Sequence, residues 1–294
     1  MSTTDSGKPY HIECTGHALE TVKSHSSSQD ITLFGSCFCP FVQRVWTAFQ
    51  FLDIPYKYYE VDPYKKPQDL LEVSPKGLVP GLRFDNFSPP KALNESTVIL
   101  EYLNDVAANS NGRSLLPPSS NPYARALVRL QCDHVNRQLV PSFYRYLQAQ
   151  DTQTQIQGGK EFADSIEALV SLFERAEKEV YLNQKSGTAG EGERVSLRAG
   201  LGLWVEGNVD LGMTDVMAGP WLFRATNVLK HYRGFQLPSG TKFDAYLDRL
   251  FNHPAFKSTC STEELYLDSY ERYAFNRPNT SQVANAINSG RSLP

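Results

Sequence analysis

Residues 36–44 have the sequence SCFCPFVQR and lie where a predicted strand meets a predicted helix. The run ITLF at 31–34 is β-branched and aromatic and ends at Gly35, which predicts the strand. Apolar residues then recur at the spacing of one helix face, at Val42, Val45, Trp46 and Phe49. Pro40 suits the first helical position because its missing N–H has no intrahelical partner there. Cys39 is therefore predicted at or next to the N-cap of this helix.

Cys39 is the candidate nucleophile of the chain. A helix N-terminus carries a partial positive charge and free N–H groups, and both favour a thiolate over a thiol. The alternative is a small buried apolar residue, since free cysteine is among the most buried residue types. The strand, the proline and the helix start favour the nucleophile. The other side of this helix is polar and is expected to turn away from the core, at Gln43, Arg44, Thr47 and Gln50.

The composition describes a soluble globular protein with material for one large domain or two ordinary ones. Hydrophobic residues make up 40% of the 294 residues and charged residues 21%, which is enough for a real core. The net charge of -3 gives no electrostatic case for nucleic acid or an anionic membrane as a partner. Apolar runs stay short of the roughly 18 residues that span a bilayer. The five cysteines are odd in number and scattered, which favours a reducing, cytoplasmic setting over a disulfide framework.

The periodicities divide the chain into five predicted parts. These are a polar N-terminal tail at 1–28, an α/β domain at 29–108, a linker at 109–121, an all-helical domain at 122–276 and a polar C-terminal tail at 277–294. A glycine-rich insertion at about 183–207 interrupts the helical domain, and residues 201–205 within it are expected to form a small hairpin. Both tails are expected to be loosely ordered, and docking of part of the N-terminal tail through a weak apolar pattern around Ile12 and Leu19 is the alternative.

The α/β domain begins with a strand, a helix and a strand that ends near residue 61, and such a βαβ unit implies parallel strands. The next strand, at 78–84, has a proline near its start, which indicates an edge or a bulge. A cis peptide bond between Val79 and Pro80 explains the pattern more specifically, because cis bonds are nearly confined to proline. It is expected to turn the backbone of Val79 outward.

These features together resemble the cytosolic glutathione transferases. Residues 39–44, CPFVQR, look like the Cys-Pro-Phe signature of the omega class, with kinship to the lambda and dehydroascorbate reductase classes. Three further patches match in order, at Lys66-Pro67, Gly77-Leu78-Val79-Pro80 and Asn94-Glu95-Ser96, and the resemblance covers roughly residues 31–275. It implies an α/β thioredoxin-like N-terminal domain followed by an all-α C-terminal domain. Cys37 departs from the omega pattern, and it either resolves a disulfide or points away.

The resemblance implies glutathione as a substrate or cosubstrate and assigns it a set of binding residues: Phe41, Lys66, Val79, Pro80, Glu95 and Ser96. Lys66 meets the glycine carboxylate, and the backbone of Val79 pairs with the cysteinyl part. Ser96 receives an anion at a helix start, and Glu95 takes the γ-glutamyl amine. Singly, each residue also has an ordinary structural role, such as a solvated charge, a turn or a cap.

A second, apolar pocket is implied between helices of the C-terminal domain, with four candidate residues: Tyr144, Tyr146, Trp221 and Arg224. Aromatic side chains more often belong to the core, which is the alternative for these rings. Asp215 resembles the buried capping aspartate of the family, although Gly212 replaces the usual Ser or Thr three residues earlier. The six histidines show no metal-ligand spacing, so no metal is assigned.

The active-site cysteine implies thiol transfer, because a protein thiolate attacks and forms a mixed disulfide with glutathione. The expected activity is that of a glutathione-dependent thiol transferase and reductase, acting on mixed disulfides or glutathionyl-aromatic ketone conjugates, with dehydroascorbate reductase activity as a further expectation. The alternative is a carrier, or ligandin, for aromatic or phenolic molecules. The expected partners are glutathione, small apolar or aromatic ligands and a second copy of the chain in a homodimer.

Overall fold

The computed structural model describes residues 10–183, 197–278 and 280–294. Its first element is a helix, α1 (Gly16–Ser24), so the expectation of a loose tail at 1–28 is wrong for the part that is described. Residues 1–9 lie outside the described residues. The N–H of Ala18 donates to the carbonyl of Cys260 at 3.0 Å, and the hydroxyl of Thr21 donates to that of Ser258 at 2.7 Å. These bonds dock α1 on the helical domain.

Four strands form one mixed sheet with the order β2-β1-β3-β4. They are β1 (Ile31–Gly35), β2 (Lys57–Glu60), β3 (Gly81–Phe84) and β4 (Lys91–Asn94). Strand β1 is parallel to β2 and antiparallel to β3, and Leu33 of β1 stands opposite Tyr58 on one side and Leu82 on the other. The predicted βαβ unit is therefore confirmed, β4 lies at the edge of the sheet, and the thioredoxin-like arrangement follows from this topology.

Helices cover the sheet and build the rest of the molecule. They are α2 (Pro40–Leu52), α3 (Gln68–Val73), α4 (Ser96–Ser110), α5 (Pro122–His134), α6 (Val140–Gln148), α7 (Thr152–Ala176), α8 (Met213–Arg224), α9 (Lys230–Arg233), α10 (Thr241–Asn252), α11 (Pro254–Lys257), α12 (Glu263–Ala274) and α13 (Gln282–Asn288). A π-helical turn at Val135–Leu139 joins α5 to α6 just before Pro141, where the sequence predicts a bend. None of the described helices is both long enough and apolar enough to cross a membrane.

Helix α2 connects the two domains, because it packs against α4 on one side and against α8 on the other. Its predicted apolar face is buried as expected. Gln43, Arg44 and Thr47 were expected to face away from the core, but they are buried as well. The reason is that α8 and the segment around Thr259 cover the polar side of α2: Arg44 donates to Met217 of α8, and Gln43 and Thr47 bond to Thr259. The remaining polar residue, Gln50, is half-buried.

Asp215 organises the start of α8. Its Oδ2 accepts hydrogen bonds from the backbone N–H groups of Gly212 and Leu203, both at 2.8 Å, and its Oδ1 accepts from the hydroxyl of Tyr246 at 3.1 Å. Gly212 has no hydroxyl to accept a hydrogen bond from the helix, but its own N–H still donates to Asp215, so one of the two hydrogen bonds of the expected cap is present. Burial raises the pKa of this carboxyl to about 6, against the lowering by these hydrogen bonds.

The predicted insertion at 183–207 is only partly described, and residues 184–196 lie outside the described residues. The hairpin expected at 201–205 is wrong, because these residues form turns. Their side chains pack inward: Trp204 is buried and stacks on Phe173 at a centroid distance of 5.3 Å. Burial of the apolar side chains and the bond from Leu203 to Asp215 fix this segment more firmly than its glycines suggest.

The C-terminal tail at 277–294 was also expected to be loose, and this is wrong. Ser281 caps α13 by accepting from the N–H of Ala284 at 3.0 Å. The amide of Gln148 on α6 donates to the carbonyl of Ala284 at 3.2 Å, and the amide of Gln282 donates to the carbonyl of Lys76 at 3.1 Å. The segment therefore joins the helical domain to a loop of the α/β domain.

Candidate active site

A cleft of about 1030 Å³ lies where the two domains meet. The N-terminal ends of α2 and α4 and the loop before β3 form one side, while α6 and the C-terminal segment form the other. The cleft brings together the predicted nucleophile and all six residues predicted to bind glutathione: Cys39, Phe41, Lys66, Val79, Pro80, Glu95 and Ser96. These residues come from four separate parts of the sequence, so the fold has assembled them.

Cys39 is the N-cap residue of α2, with extended backbone angles and Pro40 in the first turn. Its thiol points across the cleft and donates to the carbonyl of Val79, at an Sγ–O distance of 3.9 Å. The side chain is half-buried at the wall of the cleft. This position gives the sulfur a route to a molecule held against the backbone of Val79.

The acidity of Cys39 differs from the expectation. Burial raises the pKa of this thiol above its ordinary value, and this effect exceeds the lowering by the N–H groups of Phe41 and Val42 and by the cations Arg224 and Arg44. The contribution of the helix terminus is therefore present, but the expected net preference for a thiolate is wrong. Desolvation disfavours the charged form of any group that is taken out of water, and here it is the largest cause.

The loop before β3 supplies the backbone edge of the cleft. The peptide bond between Val79 and Pro80 is cis, as expected. Lys66 extends over Gly77 and donates to the carbonyl of Lys76 at 3.2 Å. Gly77 has φ +62°, which favours glycine, and a Cβ on it would lie 2.5 Å from the side chain of Lys66 and would displace this lysine.

The N-terminus of α4 forms another part of the same side of the cleft. Ser96 is its first residue and accepts a hydrogen bond from Nη1 of Arg44 at 3.4 Å. Glu95, directly before it, has φ 72°, a conformation that non-glycine residues adopt only under constraint and that often accompanies a binding site. Free N–H groups of a 15-residue helix, next to a buried cation, suit an anionic group of a ligand.

The four residues predicted for a second, apolar pocket do not line this cleft. Tyr144, Tyr146, Trp221 and Arg224 are buried side chains of the helical core. The Trp221 ring packs edge-on against Phe41 at 4.9 Å, beneath the cleft. Aromatic side chains can pack in a core or line a ligand pocket, and in this protein the three aromatic residues pack in the core.

The second wall comes instead from residues that the sequence analysis did not single out. Helix α6 and the turn before it contribute five of them, Asn136, Arg137, Val140, Pro141 and Arg145, and the segment at 280–294 closes the cleft. Asn136, Arg137, Val140 and Pro141 are spaced so that they share one face of a helix, and this spacing is a sequence signal that could have identified them. For the tail, Ser281 followed by Val283, Ala284 and Ile287 indicates a capped, partly apolar helix.

Cys37 lies beneath the cleft and is buried. Its thiol donates to the carbonyl of His11 at 3.4 Å. Burial, followed by the nearby carboxyl of Glu60, raises the pKa of this thiol to about 12. Cys37 is thus held as a neutral thiol against the N-terminal segment, which fits the structural alternative for this residue.

Over the described ranges, no three His, Cys, Asp or Glu side chains are grouped so that they could hold a metal ion.

Comparison with known proteins agrees with this geometry. The family model for the glutathione S-transferase N-terminal domain matches residues 33–111. Glutathione transferase Omega 3C from Trametes versicolor superposes with a TM-score of 0.69 at 30% identity, over 90% of this chain and 98% of that one. Rice GST1 (OsGSTU1), solved in complex with glutathione, superposes with a TM-score of 0.63 at 23% identity, over 85% and 99% of the two chains, and shares the fold.

Glutathione S-transferase DHAR2 of Arabidopsis thaliana is 25% identical over 234 residues, which is 79% of this chain and 89% of that protein. The domain match covers the half of the cleft that contains Cys39. The similarity to the Trametes enzyme extends over both domains and nearly the whole of that chain. The chain therefore belongs to the glutathione transferase family.

Proposed function

We propose that this protein is an omega-like, glutathione-dependent thiol transferase that uses Cys39 as its nucleophile. The observation that carries the proposal is the place of the Cys39 sulfur, at the start of α2 and 3.9 Å from the carbonyl of Val79 in the interdomain cleft. A serine or tyrosine at this point would activate the thiol of glutathione itself, whereas a cysteine can form a disulfide with it. The similarity to an Omega transferase supports the same class.

In the proposed complex, glutathione lies along the α/β side of the cleft. Lys66 pairs with the glycine carboxylate, the backbone of Val79 beside Pro80 bonds the cysteinyl part, and Phe41 packs against it. The γ-glutamyl carboxylate meets the N-terminus of α4 at Ser96, and its amine meets the carboxylate of Glu95. The positions of these residues around one cleft support this arrangement.

The proposed reaction proceeds in two exchanges. The Cys39 thiolate attacks the glutathione sulfur of a mixed disulfide, the S–S bond breaks, and the substrate leaves as a thiolate that takes a proton. With a glutathionyl ketone conjugate the C–S bond breaks instead, and the electron pair leaves on the carbon beside the carbonyl, which is then protonated. A second glutathione thiolate attacks the resulting Cys39 disulfide, which releases glutathione disulfide and restores the Cys39 thiolate.

Turnover of a small glutathione mixed disulfide and of a glutathionyl acetophenone tests the proposal. Cys39→Ser should abolish both activities, because a hydroxyl cannot form the disulfide intermediate. Cys37→Ser is the matched control, and we expect it to retain most of the activity. Unchanged turnover in Cys39→Ser would contradict the mechanism. If the wild-type protein turns over neither substrate but binds phenolic ligands tightly, the ligandin alternative should replace it.

The homodimer, the cytoplasmic location and dehydroascorbate reductase activity remain predictions from the family resemblance. Light scattering tests the first, since a monomer has a mass of 33.0 kDa. The proposed partners are glutathione and small apolar or aromatic ligands.

A further inference from the structure

Two arginines near Cys39 are buried without a carboxylate to pair with. Arg44 and Arg224 are each 1% exposed, and neither forms an ion pair with an Asp or Glu of the described residues. The Nε of Arg44 donates to the carbonyl of Met217 at 2.9 Å, and its guanidinium lies 4.3 Å from the centre of the Trp221 ring. Its Nη2 is buried and has no hydrogen-bond partner.

Arg224 reaches the same region from α8. Its Nη2 donates to the carbonyl of Phe38, the residue before Cys39, at 3.1 Å, and its Nη1 donates to the side chain of Gln43. The guanidinium lies 4.1 Å from the centre of the Tyr266 ring, and Nε is buried without a partner. Carbonyl groups and aromatic rings stabilise both cations, but none of these groups carries a compensating charge.

An uncompensated buried cation is costly, because the protein interior replaces the water that would solvate it. The cost is visible at Arg44, where burial lowers the pKa of the guanidinium to about 9. At Arg224 burial also acts to lower the pKa, but the nearby Tyr266 and Tyr270 outweigh it and the net shift is upward. A buried cation such as Arg44 is unfavourable unless an anion forms near it during function. Two groups, Cys39 and Tyr144, are in electrostatic contact with both arginines, and of these two Cys39 is the one that lines the cleft.

We propose that Arg44 and Arg224 are positioning residues whose joint positive charge stabilises the thiolate of Cys39, so that the thiolate is the anion the two cations lack. Arg44 lies five residues along α2, and helical side chains lean toward the N-terminus, where Cys39 is located. Arg224 holds the backbone directly before Cys39 from the other domain. This proposal rests on the proposed role of Cys39, but it concerns ionisation and can be tested without turnover.

The other titratable groups that face Cys39 in the described part of the chain are neutral. They are the thiol of Cys37 and the phenols of Tyr144, Tyr270 and Tyr273. Burial raises the pKa of each of these four groups, so none of them supplies a charge near neutral pH. Of the groups in electrostatic contact with Cys39, the two arginines are therefore the charged ones, while Lys66, Glu95 and Arg145 line the same cleft.

The test is the pH dependence of Cys39 alkylation by iodoacetamide, followed by mass spectrometry of the Cys39 peptide in the free protein. In Arg44→Gln and in Arg224→Gln we expect the pKa of Cys39 to rise by about one unit, the lower end of the effect of a nearby opposite charge. At a fixed pH below the pKa, alkylation should slow about tenfold. Arg44→Lys, which keeps the charge, should restore most of the rate.

Arg233→Gln is the matched control. Arg233 is a half-buried arginine that donates to backbone carbonyls, including those of Tyr146 and Ala274, but it is not among the groups that shift the pKa of Cys39. A purely structural role for Arg44 and Arg224 would lower stability and leave the alkylation profile where it is. Unchanged profiles in both variants, or an equal shift in Arg233→Gln, would overturn the proposal.

A second measurement covers the case in which the glutamine variants do not fold. Cys39→Asp places a carboxylate at the position that is in electrostatic contact with both arginines, whereas Cys39→Asn has the same shape without the charge. We expect Cys39→Asp to have the larger folding equilibrium constant at neutral pH, by more than the roughly two- to fivefold that a helix terminus alone provides. Equal stability of the two variants would refute the idea. Turnover in these variants tests only whether Cys39 is the nucleophile, whereas their relative stability tests the role of the arginines. Failure of the proposed function and failure of this inference are therefore distinguishable.

Discussion

Replacement of Asp215 by alanine should destabilise the protein strongly and in a way that depends on pH. The carboxyl accepts from the N–H groups of Gly212 and Leu203 and from the hydroxyl of Tyr246, and all of these donors are buried with it. An orphaned buried donor costs roughly 1–3 kcal/mol, so three of them give at least about 3 kcal/mol. Wild type and Asp215→Ala should therefore differ by this amount where the carboxyl is protonated.

The pH dependence follows from the raised pKa of Asp215. In the folded protein the pKa is about 6, whereas an unfolded Asp has a pKa of about 3.9, so the folded state holds the proton more tightly. The stability that this provides is fully present below about pH 4 and is lost as the pH rises through about 6. A pKa difference of two units corresponds to roughly 3 kcal/mol of unfolding free energy, which the wild type loses as the pH rises. Asp215→Ala has no carboxyl at this position, so its stability does not change in this way. The difference between the two proteins should thus shrink with rising pH.

Urea unfolding near pH 4 and near pH 8, followed by circular dichroism, measures both effects. Tyr246→Phe is a useful comparison, because it removes one donor and leaves the carboxyl in place. A difference between wild type and Asp215→Ala that grows with rising pH would refute the reasoning. It would mean that the three donors hold the ionised carboxylate and that they outweigh its desolvation.

Two further substitutions test the packing around the cap and the cleft. Gly202→Ala places a Cβ 2.5 Å from the Asp215 carboxylate at φ +80°, so it should cost roughly 1–3 kcal/mol more in urea unfolding than Gly112→Ala, which has φ +77° but open space. Equal losses of unfolding free energy in the two variants would show that the positive φ, and not the contact with Asp215, determines the destabilisation. Lys66→Ala should raise the KM for glutathione about tenfold with kcat unchanged, since a charge-assisted hydrogen bond at an exposed site contributes about 1.5 kcal/mol. Lys65→Ala is its control, and equal KM values for the two variants would contradict the assignment of Lys66.

The α/β half of the cleft could be predicted because each of its residues belongs to a short local signal. Pro40 marks the start of a helix, Pro80 follows a glycine at the entry to a strand, and Ser96 begins another helix. Such signals act over a few residues and need no knowledge of the other domain. The fold then brings them together through the βαβ topology, which the strand and helix pattern also indicates.

The other half could not be predicted, because its residues are decided by contacts between distant parts of the chain. Periodicity identified the apolar face of α2 but could not show that α8 covers the opposite side, which is why Arg44 was expected in solvent. Similarly, Trp221 has the same chemical character whether it packs in a core or lines a pocket. The C-terminal helix α13 becomes stable through bonds to Gln148 and Lys76, neither of which is near it in sequence.

The bridge from Gln282 to the carbonyl of Lys76 has a practical consequence for work with the recombinant protein. Residues 290–294 line the cleft beyond this bridge, so a purification tag appended after Pro294 would emerge beside the cleft. A tag there would compete with residues 290–294 for space in the cleft, and an oligohistidine tag would add positive charge below about pH 6.5. Kinetic constants should therefore be measured after proteolytic removal of any such tag.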